Sequence, residues 1–252
     1  MLKEIKEQLA LLERTRDITV LLAVESGSRA WGFPSPDSDY DVRIIYRKSQ
    51  SWYLSINTPK DTIDYFHGEL LDISGWDLRK TLRLLSKSNA TPAEWVQSPI
   101  VYQAVDGFQE QLLEYVKTYF NPTHTLNHYR GIALNSYSSI SAEKQIKLKK
   151  LFYVLRPILA AKWIVKYQTV PPMAMAPLLT VLDNQEVADR ITSLIAQKAT
   201  VDESYVIVLE DLLQDFIVAS FEEFKTADLG KINQQPIDPL NAYFQSLISP
   251  QQ

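Results

Sequence analysis

Two acidic side chains near a glycine–serine pair form the pattern in this chain with the clearest chemical meaning. Asp39 and Asp41 stand two positions apart at the start of a strand-like run, DVRIIYR. Alternate residues of a strand point to the same face, so the two carboxylates should lie side by side. Two carboxylates held this close repel each other unless a cation lies between them, and Mg²⁺ prefers oxygen ligands of this kind. The pair therefore predicts a magnesium site.

The glycine–serine pair has the properties of a phosphate-binding turn. Gly27 and Ser28 follow a run that reads as a buried strand, ITVLLAV. A glycine lets the backbone approach a ligand closely, and free amide groups at the start of a following helix can bind a phosphate. The hydroxyl of Ser28 adds a donor. Arg29, the next residue, is either a phosphate contact or an ordinary surface residue.

A third carboxylate comes from one of two further strand candidates, DTIDYF and ELLDIS, which a short turn joins as a hairpin. Asp72 in the second of them could reach the acidic pair from a neighbouring strand, and Asp64 in the first is its competitor. Strand pairing decides between the two, and the sequence does not reveal it.

The elements that position these residues change character along the chain. Apolar residues at helical spacing open the chain, strands then alternate with helices, and Asp77 stands at the N-cap position of a helix, LRKTLRLLSKS. After about residue 104 the apolar residues recur at intervals of three and four, and strand signals nearly vanish. This pattern predicts an α+β protein with an α/β domain over residues 1–105 and a helical domain over residues 106–252.

The composition of the chain excludes several classes of protein. The chain has 252 residues, of which 46% are hydrophobic and 22% are charged, as in ordinary globular proteins rather than disordered ones. The net charge of -4 argues against a protein that coats DNA or RNA, although a local phosphate site remains compatible with it. Without cysteine there is no disulfide or thiolate chemistry. The absence of a secretory signal and of a long apolar run predicts a cytoplasmic protein with no membrane partner.

The order strand, Gly-Ser, spacer, Asp-x-Asp, strand resembles the signature of the nucleotidyltransferase superfamily, the polymerase-β-like group. The signature stands here as GSRAWGFPSPDSDYDVR. More closely, the stretches LLDISGWDLRKTLRLL, SNATPAEW, SPIVY, KKLFYVLRPILAAKWI and PPM are similar to the RNA-ligase-associated predicted nucleotidyltransferase family, so that the resemblance covers roughly residues 15 to 180. It implies a nucleotidyltransferase-type mixed sheet with helices, followed by an all-helical C-terminal domain, with the active site in the cleft between them.

The resemblance also implies roles for individual residues. Gly27 and Ser28 would bind the triphosphate, and Asp39 and Asp41 would be ligands of catalytic Mg²⁺. Asp72 would be the third carboxylate, which binds the metal and helps to activate the acceptor hydroxyl.

Arg29, beside the Gly-Ser pair, and Lys150 are predicted as further nucleotide contacts. Lys150, Tyr153 and Arg156 recur at three-residue intervals and so lie near one helical face. The resemblance favours Lys150 as a phosphate contact, and the alternative is a solvated helix edge.

The implied reaction moves an NMP from an NTP such as ATP to a hydroxyl acceptor, with two Mg²⁺ ions and release of pyrophosphate. The acceptor is an RNA end, a protein side chain or a small molecule. The alternatives are a non-catalytic nucleotide-binding or interaction module on the same fold, and a phosphohydrolase that uses the same carboxylates.

Overall fold

The structure, a computed structural model, describes residues 1–57, 59–230 and 235–249. Its strands are β1 (Thr19–Glu25), β2 (Tyr40–Arg47), β3 (Thr62–His67), β4 (Leu71–Asp77), β5 (Val101–Ala104), β6 (Gln145–Lys147) and β7 (Val206–Val208). Its helices are α1 (Leu2–Arg16), α2 (Gly27–Trp31), α3 (Gln50–Tyr53), α4 (Leu78–Leu85), α5 (Ala90–Val96), α6 (Phe108–Thr118), α7 (Pro122–Ser138), α8 (Leu148–Tyr167), α9 (Met175–Leu178), α10 (Gln185–Lys198), α11 (Asp211–Thr226) and α12 (Asp238–Ile248). The predicted α+β class is confirmed.

Contacts divide the chain into two compact units that do not follow chain order. The first unit holds Met1–Gly27, Asp39–Tyr119 and the described part of Asn233–Gln252, and the second holds Ser28–Ser38 and the described part of Phe120–Ile232. The predicted boundary between residues 105 and 106 therefore differs from that of the compact units. The reason is that α6, which begins after it, buries its apolar face against α5 and β1 of the first unit.

The first unit is built on one mixed sheet. Its strands lie in the order β3-β4-β2-β1-β5. β2 and β4 run parallel, whereas the other neighbouring strands are antiparallel. The predicted hairpin of β3 and β4 is confirmed, and the parallel pairing places β4 rather than β3 beside β2.

One face of this sheet is covered by the first helix. Ile5 and Leu9 of α1 are fully buried in a core cluster with Val42 of β2 and Ile73 of β4. The helical spacing that predicts α1 is thus the spacing of its buried side chains. Because side chains alternate along a strand, the residues between these core positions point to the opposite face of the sheet, here called the site face.

Asp77 ends β4 and begins α4, as predicted. Its carboxylate accepts hydrogen bonds from the backbone N–H groups of Lys80 at 2.9 Å and Arg79 at 3.2 Å, which are otherwise unpaired at a helix start. Burial raises the pKa of the Asp77 carboxyl, while these two hydrogen bonds act in the opposite direction. The cap fixes the point at which the chain leaves the sheet.

The second unit is largely helical but contains a small sheet that the sequence pattern does not predict. β6 and β7 pair antiparallel, with Ile146 opposite Ile207. The expectation of an all-helical C-terminal part is therefore wrong at this point. Strands of three residues show no alternation, and the apolar residues of β7 run into the periodicity of α11.

The segment between the Gly-Ser pair and Asp39, here called the spacer segment (Ser28–Ser38), packs in the second unit. Lys198, only 2% exposed, donates a hydrogen bond to Ser35 Oγ at 2.9 Å, and Ser38 Oγ donates to Glu203 Oε1 at 3.0 Å. Burial lowers the pKa of the Lys198 ammonium group. The spacer segment is thus held by buried polar contacts of the helical unit.

Over the described ranges, no helix combines the length and the apolar character that crossing a lipid bilayer requires.

Candidate active site

Two of the predicted carboxylates lie side by side on neighbouring parallel strands. Asp41 of β2 pairs in register with Asp72 of β4. Val42 and Ile73, the next residues, face the buried core, so both carboxylates point to the site face. Asp64 lies one strand further out, opposite Ser74. Of the two competing aspartates, Asp72 is therefore the neighbour of Asp41.

Arg43 bridges the two carboxylates. Its Nη2 donates to Asp41 Oδ1 at 3.0 Å and to Asp72 Oδ2 at 2.9 Å. Its Nη1 donates to the carbonyl oxygens of Val42 at 3.1 Å and Asp72 at 3.3 Å. The side chain is 18% exposed, so this positive charge is only partly screened by solvent. The guanidinium offsets the repulsion that two neighbouring carboxylates would otherwise exert on each other.

The two carboxylates differ in their remaining contacts. Asp72 Oδ1 accepts a hydrogen bond from Ser74 Oγ at 3.1 Å, so each of its oxygens has a partner. Asp41 Oδ2 lies against Gly27, and a Cβ added to this glycine would be only 2.1 Å from that oxygen. Gly27 also has φ +59°, a backbone conformation that glycine adopts without strain. The absent side chain thus leaves the space that the Asp41 carboxylate occupies.

A buried glutamate holds the backbone of Asp41. Glu25, the last residue of β1, is fully buried and accepts a hydrogen bond from the Asp41 N–H at 2.8 Å. The hydroxyl of Tyr102 donates to the other oxygen of the same carboxylate. Ser26 N–H donates to the Asp41 carbonyl at 2.8 Å. The end of β1 and the start of β2 are therefore fixed to each other beside Gly27.

The other predicted nucleotide contacts lie in the second compact unit. Ser28 Oγ donates to Ser38 Oγ at 3.1 Å, and Arg29 Nη2 donates to the Ser38 carbonyl at 2.6 Å. Lys150 is partly exposed near the start of α8. Their predicted roles as nucleotide contacts stay predictions.

The remaining predicted metal ligand, Asp39, is exposed and directly precedes β2, two residues before Asp41. Within the described ranges no three His, Cys, Asp or Glu side chains are grouped closely enough to hold a metal ion. The arrangement that the structure gives is a carboxylate pair bridged by a guanidinium.

Arg43 and Glu25 were not predicted as site residues. Arg43 follows Asp41 at the same two-residue interval as Asp41 follows Asp39, so alternation along β2 already indicates its face. Glu25 ends an apolar run, and an acid at the end of a buried strand is a signal of a hydrogen-bonded carboxylate.

Comparison with known proteins shows where the chain belongs. It is 41% identical to the uncharacterized protein YcgL of Bacillus subtilis (strain 168) over 232 residues, which cover 90% of this chain and 88% of YcgL. A solved nucleotidyltransferase-like protein from Exiguobacterium sibiricum 255-15 aligns over 96% of this chain and 89% of its own, with 10% identity and a TM-score of 0.30. The family model described as RNA repair pathway DNA polymerase beta family matches residues 1–246. The predicted resemblance is thus confirmed, and the chain belongs to the RNA repair pathway DNA polymerase beta family.

Proposed function

We propose that this protein transfers a nucleoside monophosphate from an NTP to a hydroxyl acceptor, with Mg²⁺ and release of pyrophosphate. One observation carries the proposal. Asp41 and Asp72 lie in register on the site face, and the Asp41 carboxylate lies against the backbone of Gly27. Membership of a polymerase-β-type family agrees with this reaction.

The carboxylates fit a divalent cation by their chemistry. They are hard oxygen donors on adjacent strands, and the protein already places one cation, the Arg43 guanidinium, between Asp41 and Asp72. Asp41 and Asp72 would hold the metal, and we propose that Asp39, which is not grouped with both of them in this structure, joins them when the ion binds. Bound Mg²⁺ would neutralise negative charge on the phosphates and activate the acceptor hydroxyl.

The chain's own groups would bind the nucleotide and accept a proton. Gly27 and Ser28 would offer backbone and hydroxyl donors to the triphosphate, and Arg29 and Lys150 would supply positive charge. The acceptor oxygen forms a bond to the α-phosphorus as the bond from that phosphorus to the bridging oxygen breaks. Pyrophosphate leaves, and the hydroxyl proton passes to the Asp72 carboxylate.

The direct test is incubation of the full chain with each NTP and Mg²⁺ in the presence of RNA, protein and small hydroxyl compounds. Pyrophosphate release together with labelled NMP on an acceptor is the expected result. Release of inorganic phosphate without a labelled acceptor would identify a phosphohydrolase instead. Nucleotide binding without either product would identify the non-catalytic module.

Replacement of Arg43 tests the proposed metal site without relying on catalysis. Arg43→Gln removes the positive charge between Asp41 and Asp72, so the metal no longer competes with it. We expect Mn²⁺, measured by electron paramagnetic resonance, to bind the variant about tenfold more tightly. Thermal stability in EDTA should fall, and added Mn²⁺ should restore it.

Two further variants make this measurement specific. Arg43→Lys keeps the charge and should stay close to the wild-type affinity, while Arg83→Gln removes an exposed charge of α4 and should change nothing. Unchanged or weaker Mn²⁺ binding by Arg43→Gln would contradict the assignment of this carboxylate pair to a metal.

A further inference from the structure

An exposed aromatic side chain lies directly beside the third carboxylate. Phe66 of β3 is 73% exposed and pairs in register with Asp72 of β4. Directly opposed residues of antiparallel strands have Cβ atoms about 4.5–5.5 Å apart and point to the same face. The Phe66 ring and the Asp72 carboxylate are therefore neighbours on the site face.

The position of Phe66 continues a row of site residues across the sheet. Gly27 lies against Asp41, Asp41 is in register with Asp72, and Asp72 is in register with Phe66. If the triphosphate binds at Gly27, the opposite end of the row is the side from which an acceptor approaches. Asp72, the proposed proton acceptor, lies between the phosphate end and the aromatic end.

Packing gives no reason for an aromatic residue at this position. Ile63 and Tyr65 of the same strand pack on the buried core cluster, whereas Phe66 points the other way. β3 is an edge strand, where an exposed apolar side chain is a liability because it favours association with other chains. Phe66 contributes little buried area, so its replacement should leave the fold intact.

The surroundings of Phe66 favour an uncharged ring as its partner. Asp64 lies two residues away on the same face and pairs with the exposed Lys60 at 3.3 Å, so the two charges offset each other. A flat aromatic ring can stack on the exposed Phe66 side chain. The group that fits beside Asp72 is a flat ring carried close to a hydroxyl, which describes a nucleoside.

We propose that Phe66 is a stacking platform for the base of a nucleoside acceptor, whose sugar hydroxyl is thereby placed at Asp72. The inference rests on the proposed function and narrows its acceptor to a compound that carries a nucleobase. Such a nucleoside is either free or the terminal residue of a nucleic-acid strand, and both have the same recognition chemistry.

The test compares two short oligoribonucleotides, one with an intact 3′-terminal nucleoside and one with an abasic 3′-terminal sugar. Their affinities are measured by fluorescence anisotropy with Ca²⁺ and NTP, and free adenosine and uridine are used as competitors. We expect wild type to bind the intact strand at least about tenfold more tightly than the abasic one, because the intact strand gains base–aromatic stacking. Phe66→Ala should lose this preference, and Phe66→Trp should keep it.

The control is Val101→Ala, which removes an exposed apolar side chain from β5, the strand at the opposite edge of the sheet. It should retain the wild-type preference. Competition by free nucleosides as strong as that by the strand would assign the platform to a free nucleoside, and much weaker competition would assign it to a strand end.

The inference would be overturned if Phe66→Ala distinguished the two strands as wild type does, or if wild type did not distinguish them. It would also be overturned by transfer to protein or to a base-free hydroxyl compound at an unchanged KM in Phe66→Ala. In each of these cases NTP-dependent pyrophosphate release by wild type would leave the proposed function standing. Absence of that release in wild type would instead refute the proposed function.

Discussion

Asp41→Asn is expected to lower the rate of nucleotide transfer by at least about a thousandfold, because the amide cannot supply the negative charge that the metal requires. The fold should survive, since asparagine has nearly the same shape and Arg43 keeps its contact with Asp72. The midpoint of thermal unfolding should stay within about 4 °C of wild type. Single-turnover rates at saturating Mg²⁺ and NTP measure the loss in the chemical step.

Asp64→Asn is the matched control for this experiment. Asp64 also lies on the site face, but one strand further from Asp41, and its carboxylate pairs with Lys60 near the surface. We expect its transfer rate to stay within a few-fold of wild type. A transfer rate near wild type in Asp41→Asn would refute the metal role of Asp41, and a large loss in Asp64→Asn would show that the third carboxylate has been misassigned.

Gly27→Ala should lower kcat/KM for nucleotide transfer by at least about a hundredfold, through weaker NTP binding and a slower chemical step. Displacing a catalytic group slows the reaction even when the fold is kept. The new Cβ would lie 2.1 Å from Asp41 Oδ2, so the carboxylate must move. A displaced Asp41 carboxylate could no longer hold the metal ion that is proposed to neutralise the phosphates. Isothermal titration with Mg²⁺ and NTP measures the affinity, and urea denaturation measures the stability.

Gly68→Ala separates this effect from backbone strain. Gly68 has φ +63°, close to the +59° of Gly27, but a Cβ there meets no atom within 4 Å. Both substitutions should therefore carry the same backbone strain, on the order of 1 kcal/mol. Gly27→Ala should lose more stability than Gly68→Ala because Asp41 must also move, and only Gly27→Ala should lose NTP affinity. An unchanged NTP affinity in Gly27→Ala would contradict the phosphate-binding role of this turn.

Local patterns in the sequence predict most of the N-terminal sheet and the core of the candidate site. Asp41 and Gly27 belong to one short signature, and strand alternation together with a required glycine gives their geometry. The choice between Asp72 and Asp64 depends on which strand pairs with β2, and strand pairing is a contact between distant parts of the chain. Alternation along β2 places Arg43 on the face of Asp41, but its bridge to Asp72 depends on the same strand pairing.

The small sheet and the attachment of the spacer segment are not predicted by local patterns, for different reasons. β6 and β7 are too short for alternation to show, and Val206–Val208 leads directly into the helical pattern of α11. The spacer segment is a loop only after α2, where its glycine, proline, serine and aspartate residues are typical of turns. Its attachment to the buried ammonium of Lys198 depends on a residue far along the chain, which no local pattern reveals.

The attachment of the spacer segment has a consequence for how this protein can change during evolution. Surface loops of such composition are where related proteins ordinarily gain and lose residues. Here the spacer segment joins Gly27 to Asp39, while its Ser35 is hydrogen-bonded to Lys198 and its last residue to Glu203. An insertion or deletion would strain either the anchored serines or the residues at its two ends. Insertions and deletions in the spacer segment should therefore be tolerated less well than its composition alone suggests.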